Sequence, residues 1–341
     1  MKVIHIIPNL KTGGAENVLA NISNLLHKKG LNQIIFTLND TKNDFNRKNI
    51  NVNTPVINDQ KKLEKILVQN NSIKVVCWMY PSILWYEKFN EKNRFVHPIY
   101  WNIRHSDFGT YEIFKKTALF GFGIWSRIKR RNIIYCSEKS KYIHEKYFFS
   151  KKNAHIIINR LAKSIPKKIE KIDNKDFILF VGRFHKQKGP KQLKYIIEKL
   201  LSDFIQLEFI ILGSGWDVNY FNSKIRNRIQ ILSSVKNVFE YYQSSKLLLY
   251  TSQFGEGYPN VIAEAMAVGC SIVGYDSGDY QKMTINYDLA KIVFSKEEFI
   301  KKSKEILLSN ITIKQRNETA LEVNKKLDFN ITVNEYFRLL S

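Results

Sequence analysis

Phe254-Gly255-Glu256-Gly257-Tyr258-Pro259-Asn260-Val261-Ile262-Ala263-Glu264-Ala265-Met266-Ala267-Val268-Gly269 reads as a loop that turns into a helix and stops. Glycines on both sides of Glu256 allow a tight backbone path. Pro259 suits the first helical position, where its missing N–H would have no partner anyway. Val261, Ile262, Ala265 and Met266 fall on one helical face, and Gly269 is placed to end the helix in a left-handed conformation. The apolar, β-branched run Ser271-Ile272-Val273-Gly274-Tyr275 follows at once and reads as a strand. Two carboxylates remain, Glu256 in the loop and Glu264 in the helix, with seven residues between them. The N–H groups of Asn260 and Val261 open the helix and are expected to point to the same side, a ready anion site.

Outward from that stretch the chain alternates strands and helices. Residues 2–7 form a short apolar strand, followed by Lys11-Thr12-Gly13-Gly14-Ala15-Glu16 and a helical pattern of Val18, Leu19, Ile22, Leu25 and Leu26. Strand, glycine turn, helix is not the dinucleotide fingerprint, which needs three glycines at set spacing, so a dehydrogenase loses its main support. Further strands are predicted over Gln33–Leu38, Ile73–Trp78, Pro98–Ile103, Asn132–Cys136 and Ala154–Ile158, with a helix over Lys61–Val68 and another capped by Ser137. Arg104-His105-Ser106-Asp107 then stands at the C-terminal end of a strand, where open parallel sheets bind ligands. Lys163–Asp176, polar and containing Pro166, reads as a linker.

A second α/β half begins with Phe177–Val181 and runs into Gly182-Arg183-Phe184-His185-Lys186-Gln187-Lys188-Gly189. Two cations five residues apart in a glycine-flanked loop can clamp a diphosphate: Arg183 supplies a planar fork and Lys188 a mobile point charge. Leu207–Leu212 is a strand ending in Gly213-Ser214-Gly215, a close-approach turn, and Leu247–Tyr250 leads into the opening stretch. Ser277-Gly278-Asp279 closes the next strand, and Ala320–Leu340 is helical in pattern. Cations, aligned N–H groups and flanking carboxylates suit a ligand with phosphate in the middle and hydroxyls at either end.

Length and composition agree with two domains: 341 residues, 44% hydrophobic. Lys and Arg number 54 against 31 Asp and Glu, a net charge of +23 that could serve nucleic acid, an anionic membrane or phosphorylated substrates. No RNA- or DNA-reading motif is present, so a basic nucleic-acid-binding protein is the different-class alternative and no nucleic-acid partner is expected. The segment Ala118–Arg131 places aromatic and aliphatic residues before Arg127, Lys129, Arg130 and Arg131. It reads either as a peripheral contact with an anionic membrane or as a core helix with a solvated basic end, Gly121 and Gly123 weakening any helix. Cys77, Cys136 and Cys270 have no paired spacing, which argues against a disulfide framework and a zinc site and fits a reducing cytoplasm. Met1–Pro8 is too short and polar for a signal-peptide core, and no run approaches the roughly 18 apolar residues of a membrane span.

The Glu256-to-Glu264 stretch, the Arg183-to-Lys188 spacing, the glycine turns and Asn102-Ile103-Arg104-His105-Ser106 together resemble the retaining family 4 glycosyltransferases. The resemblance covers most of the chain and is densest over 177–280. It implies the GT-B architecture: an α/β fold of two Rossmann-like domains facing across a cleft, with a C-terminal helix crossing back to the first. The corresponding boundaries are 1–165 for an acceptor domain, 166–325 for a nucleotide-sugar domain and 326–341 for the crossing helix. It implies a catalytic set of His105, Arg183, Lys188 and Glu256, with Glu256 on the donor sugar. The donor-binding set is Gly13, Gly14, Arg104, Gly182, Gly213, Gly215, Tyr258, Asn260, Val261 and Glu264, the last holding the ribose hydroxyls. No metal and no cofactor are implied, and no Asp-x-Asp stands in a suitable loop. The implied partners are a nucleotide-sugar donor, read as a UDP-sugar, and a saccharide or lipid-linked saccharide acceptor. The implied setting is bacterial surface polysaccharide or glycan assembly, in the cytoplasm or on the inner face of its membrane. The chain departs from the family at Asn159-Arg160, where Asn-Gly is usual, and at Tyr280-Gln281-Lys282, where a Glu is usual. A nucleotide-sugar epimerase on the same fold is the other enzymatic alternative.

Overall fold

A computed structural model of the chain describes residues 2–11, 14–70, 72–104, 113–150, 154–161 and 176–341, with the backbone alone for 113–116. It divides into two compact units, Met1–Ala162 with Phe329–Ser341, and Lys163–Asp328. Most of the linker predicted over 163–176 lies outside the described residues.

In the first unit the strands are β1 (Lys2–Ile7), β2 (Asn32–Thr37), β3 (Val56–Ile57), β4 (Lys74–Trp78), β5 (Ile99–Ile103), β6 (Asn132–Tyr135) and β7 (His155–Ile156). They pair in the order β3-β2-β1-β4-β5-β6-β7, every pairing parallel. Parallel neighbours require crossovers, supplied by α1 (Gly14–Lys28), α2 (Gln60–Val68), α3 (Met79–Asn93), α4 (Ile113–Ile128) and α5 (Glu138–Tyr147). The strands are buried on both faces because alternate residues feed two cores. Val3, Ile7, Val76 and Trp78 pack with Leu19, Ile22 and Leu26 of α1, whereas Ile4, Ile6, Val75 and Cys77 pack with Leu63 and Leu67 of α2 and Ile83 and Tyr86 of α3.

The second unit holds β8 (Phe177–Val181), β9 (Glu208–Leu212), β10 (Ile229–Leu232), β11 (Leu247–Tyr250), β12 (Ile272–Tyr275) and β13 (Ala290–Val293), ordered β10-β9-β8-β11-β12-β13 and again all parallel. Its helices are α6 (Pro190–Asp203), α7 (Val238–Ser244), α8 (Asn260–Met266), α9 (Tyr280–Met283), α10 (Lys296–Leu308) and α11 (Ile313–Lys326).

The helical tail predicted over Ala320–Leu340 is interrupted. Its second part is α12 (Phe329–Leu340), which belongs to the first unit and buries Val333, Tyr336 and Leu340 beside Val3, Ile7 and Trp78. Burying each such side chain contributes about 1.5–3 kcal/mol. Two further expectations need correction. Pro259 is the N-cap of α8 rather than its first helical residue, with an extended ψ of 112°. Residues 113–128 are one α-helix in spite of Gly121 and Gly123. The second glycine is there for close packing: a Cβ on Gly123 would collide with the Phe148 carbonyl at the end of α5.

His5, on β1, is fully buried among polar partners. The Trp78 indole, which can only donate, gives its Nε1–H to His5 Nδ1 at 3.2 Å, so the ring carries its proton on Nε2 and donates to Gln33 Oε1 at 3.1 Å. Burial, opposed by the bond to Gln33, holds the imidazole down at about 4, against the ordinary 6.5. The folded state keeps His5 neutral while the unfolded chain takes up a proton below 6.5. Stability from this group is therefore full above that value and falls as pH drops toward 4. Urea unfolding of the first unit is expected to show a loss on the order of 2 kcal/mol from this residue between neutral pH and about pH 5, and His5→Gln should flatten that slope.

Candidate functional site

In the second sheet the chain runs from β8 outward through β9 to β10, then returns to the other side of β8 with β11 and continues to β12 and β13. The reversal lies between β8 and β11. Loops leaving the C-terminal ends of adjacent strands at such a point diverge and leave a crevice, the usual ligand position in open α/β sheets. The loops leaving β8 and β11 are the Arg183–Lys188 loop and the Thr251–Pro259 loop.

Backbone bonds lock these loops together. Thr251 Oγ1 donates to the Lys188 carbonyl at 2.7 Å, and Gln253 N donates to the Gln187 carbonyl at 2.9 Å. Lys188 Nζ then meets Glu256 Oε1 at 2.6 Å, with both side chains largely buried, 17% and 12% exposed. Ser252 Oγ donates to the same oxygen at 3.0 Å. The loop after β12 closes on the other side, Asp279 N donating to the Gly257 carbonyl at 2.8 Å. Gly278 in that loop has φ +62°, and a Cβ there would strike the Gly257 carbonyl and Glu256. The loop after β9 joins through Phe184 N, which donates to the Ser214 carbonyl at 2.9 Å, and through Gly213, packed directly on the Gly182 carbonyl. Trp216 Nε1 donates to that Gly182 carbonyl at 2.8 Å, while Gly215 faces Phe184 and Gly182 faces the Lys188 stem.

Arg183 is exposed on its loop. Tyr258, Asn260 and Val261 are half-buried at the start of α8. The helical ladder begins with Ile262 N donating to the Pro259 carbonyl at 3.1 Å, so the N–H groups of Asn260 and Val261 lie ahead of it. Glu264 is buried on α8, 7% exposed, and its Oε2 accepts from the Tyr242 hydroxyl at 3.1 Å. Burial, reinforced by the neighbouring Glu264 charge, pushes the Tyr242 phenol well above its ordinary range. The phenol therefore stays protonated and acts as a donor that aims one carboxylate oxygen of Glu264.

The first unit carries the other expected positions. Gly14 opens α1 with open space around it. Arg104 follows β5 with its guanidinium 5.8 Å from the centre of the Trp78 ring. Gly13 and His105 lie outside the described residues. Among the described residues no cluster of three or more His, Cys, Asp or Glu could hold a metal ion.

Sequence reasoning missed Ser252 and Tyr242. Ser252 could have been suspected from its place between strand and glycine turn. Tyr242 could not, because 22 residues separate it from Glu264 and only the packing of α7 on α8 joins them.

Residues 162–323 match the family model described as Glycosyl transferases group 1. The matched span covers nearly all of the second unit. Across both units, the chain is 24% identical over 304 residues to an uncharacterized glycosyltransferase of Haemophilus influenzae, covering 84% of each. Its fold is similar to that of HepE from Anabaena in complex with UDP and glucose, with TM-score 0.77, 15% identity, and coverage of 100% of this chain and 99% of that one. It is also similar to WaaG, a glycosyltransferase involved in lipopolysaccharide biosynthesis, with TM-score 0.68, 13% identity and 99% of each chain covered. Two all-parallel α/β units of this kind are the GT-B fold.

Gly278→Ala should place a Cβ against the Gly257 carbonyl at a backbone angle that favours glycine. The expected cost is about 1–3 kcal/mol, visible as a lower Tm, because the loop that bears Glu256 must move.

Proposed function

We propose that the chain is a retaining, metal-independent glycosyltransferase of family 4 that uses a UDP-sugar donor. The observation that carries the reading is the Lys188–Glu256 contact, which joins the two most specific motifs at the strand reversal of the second sheet. Breaking the anomeric C–O bond gathers negative charge on the leaving diphosphate and positive charge on the sugar. Fixed cations and aligned N–H groups in a crevice stabilise that charge without reorganising. In this reading Arg183 and Lys188 take the diphosphate beside the start of α8, and Glu264, aimed by Tyr242, accepts from the ribose hydroxyls. Glu256 accepts from the donor sugar. His105, Arg104, Gly13 and Gly14, in the first unit, keep the roles toward sugar and acceptor that the family resemblance implies. Retention would follow from front-face attack within a short-lived ion pair, which requires no protein nucleophile. Similarity to HepE with UDP and glucose supports a UDP-sugar donor. The involvement of WaaG in lipopolysaccharide biosynthesis supports a lipid-linked saccharide acceptor and a role in surface polysaccharide assembly.

The ion pair adds a constraint of its own. Glu256 cancels the field of Lys188 for any anion that arrives alone. A donor whose sugar hydroxyls donate to Glu256 leaves the remaining Lys188 N–H groups to the phosphates, so sugar and diphosphate are recognised jointly.

A thermal-shift series of UDP-, GDP-, ADP- and TDP-sugars should show the largest rise in Tm with a UDP-sugar; a flat series would remove the donor assignment. Arg183→Ala and Lys188→Ala should each lower transfer by about a hundredfold or more with the fold retained, and wild-type turnover in either would count against the clamp. Glu256→Gln should abolish transfer while tightening UDP alone several-fold by calorimetry, since the charge that neutralises Lys188 is gone.

A further inference from the structure

The α4 segment is unusual in charge and in what it leaves uncovered. From Ile113 to Arg131 it contains Lys115, Lys116, Arg127, Lys129, Arg130 and Arg131, and no Asp or Glu. One side is committed to the core: Leu119 and Phe122 are buried, and Trp125 packs on Trp101. The other side is not. Phe120, Ile124 and Ile128, spaced four apart and so aligned on one face, are 42%, 41% and 72% exposed. Phe149, 51% exposed, extends the stripe by packing edge-on against Phe120 at 5.1 Å.

The cations sort themselves around this stripe. Arg131 turns inward, its guanidinium making two bonds of 2.8 and 2.9 Å to the fully buried Glu87. Lys129 pairs with Glu91 at 2.7 Å. Arg127 and Arg130 stay exposed, and Arg127 Nε donates to the backbone carbonyls of Phe149 at 2.6 Å and Ser150 at 3.2 Å while its charge stays at the surface. On α5, Lys146 lies 5.1 Å from the ring centres of both Tyr142 and Tyr147, themselves exposed. An apolar strip along a helix, with exposed Arg127 and Arg130 that make no ion pair among the described residues, is the composition that enters the headgroup–acyl boundary of an anionic bilayer.

We infer that the α4 face formed by Phe120, Ile124, Ile128 and Phe149, with Arg127 and Arg130, docks the protein on an anionic phospholipid surface. No helix among the described residues is long and apolar enough to cross a membrane, so the contact is interfacial. The inference deepens the membrane setting of the proposed reaction but does not rest on sugar transfer, and its test uses neither donor nor acceptor.

The full chain is sedimented with phosphatidylcholine vesicles, with and without phosphatidylglycerol, at low and high salt. Binding is expected only with phosphatidylglycerol and should weaken as salt rises. Arg130→Gln should reduce partitioning about fivefold. The triple change Phe120→Ser, Ile124→Ser, Ile128→Ser should reduce it by on the order of a hundredfold with Tm held, since each site is already exposed. Lys188→Ala should bind vesicles as the wild type does, which separates failure of this surface from failure of the donor site. The inference is overturned if the wild type stays in the supernatant at low salt or if the triple variant binds undiminished. It is equally overturned if the triple change instead abolishes a stable dimer or an RNA complex while vesicles have no effect.

Discussion

Lys188 and Glu256 lie 68 residues apart in the chain and 2.6 Å apart in space, and that contact depends on β8 and β11 being neighbours. Because β8 is the first strand of its sheet and β11 returns to its free side, the loops that follow them leave from the same edge. They are then joined by Thr251 to Lys188 and by Gln253 to Gln187. Every other feature of the crevice hangs on this seam: the β12 loop abuts Gly257, and the β9 loop abuts Gly182.

The seam also sets the electrostatics. A partly buried ion pair is screened less than a surface one, yet its two charges cancel at a distance, so the outward positive character of the loop rests on the exposed Arg183 and Lys186. Glu264 is treated differently. It is paired with a phenol that burial keeps protonated, so its charge is oriented but not neutralised by that contact. The two carboxylates of one short stretch thus have distinct surroundings: one facing a cation, the other a neutral donor.

The first unit is organised around a different buried chain. Gln33, His5 and Trp78 are hydrogen-bonded in sequence; Tyr336 stacks on Trp78, and Asn102 Nδ2 donates to the Tyr336 hydroxyl at 2.6 Å. Because Tyr336 comes from α12, a helix that follows the second unit in the chain is fastened into the core of the first. Arg104 lies over the same Trp78 ring, so the residue expected at the sugar sits directly on this buried array.

Much of this was written locally. Alternation of apolar residues set the strands, the strand–helix rhythm set the parallel sheets, and the loop residues Gly182–Gly189 and Gly255–Gly257 announced the crevice, because these are rules of short-range backbone geometry. Local pattern also misled. The glycines of α4 argued against a helix, yet the helix forms and Gly123 is what lets it pack closely on Phe148. Nothing in the basic run at 127–131 announced that Glu87 and Glu91, on α3, would claim Arg131 and Lys129. Composition and spacing singled out residues whose chemistry suits phosphate, sugar or lipid. Only tertiary structure decided which charges are spent on one another, because an ion pair or a buried hydrogen bond is settled by which strands and helices lie side by side, a fact no single segment contains.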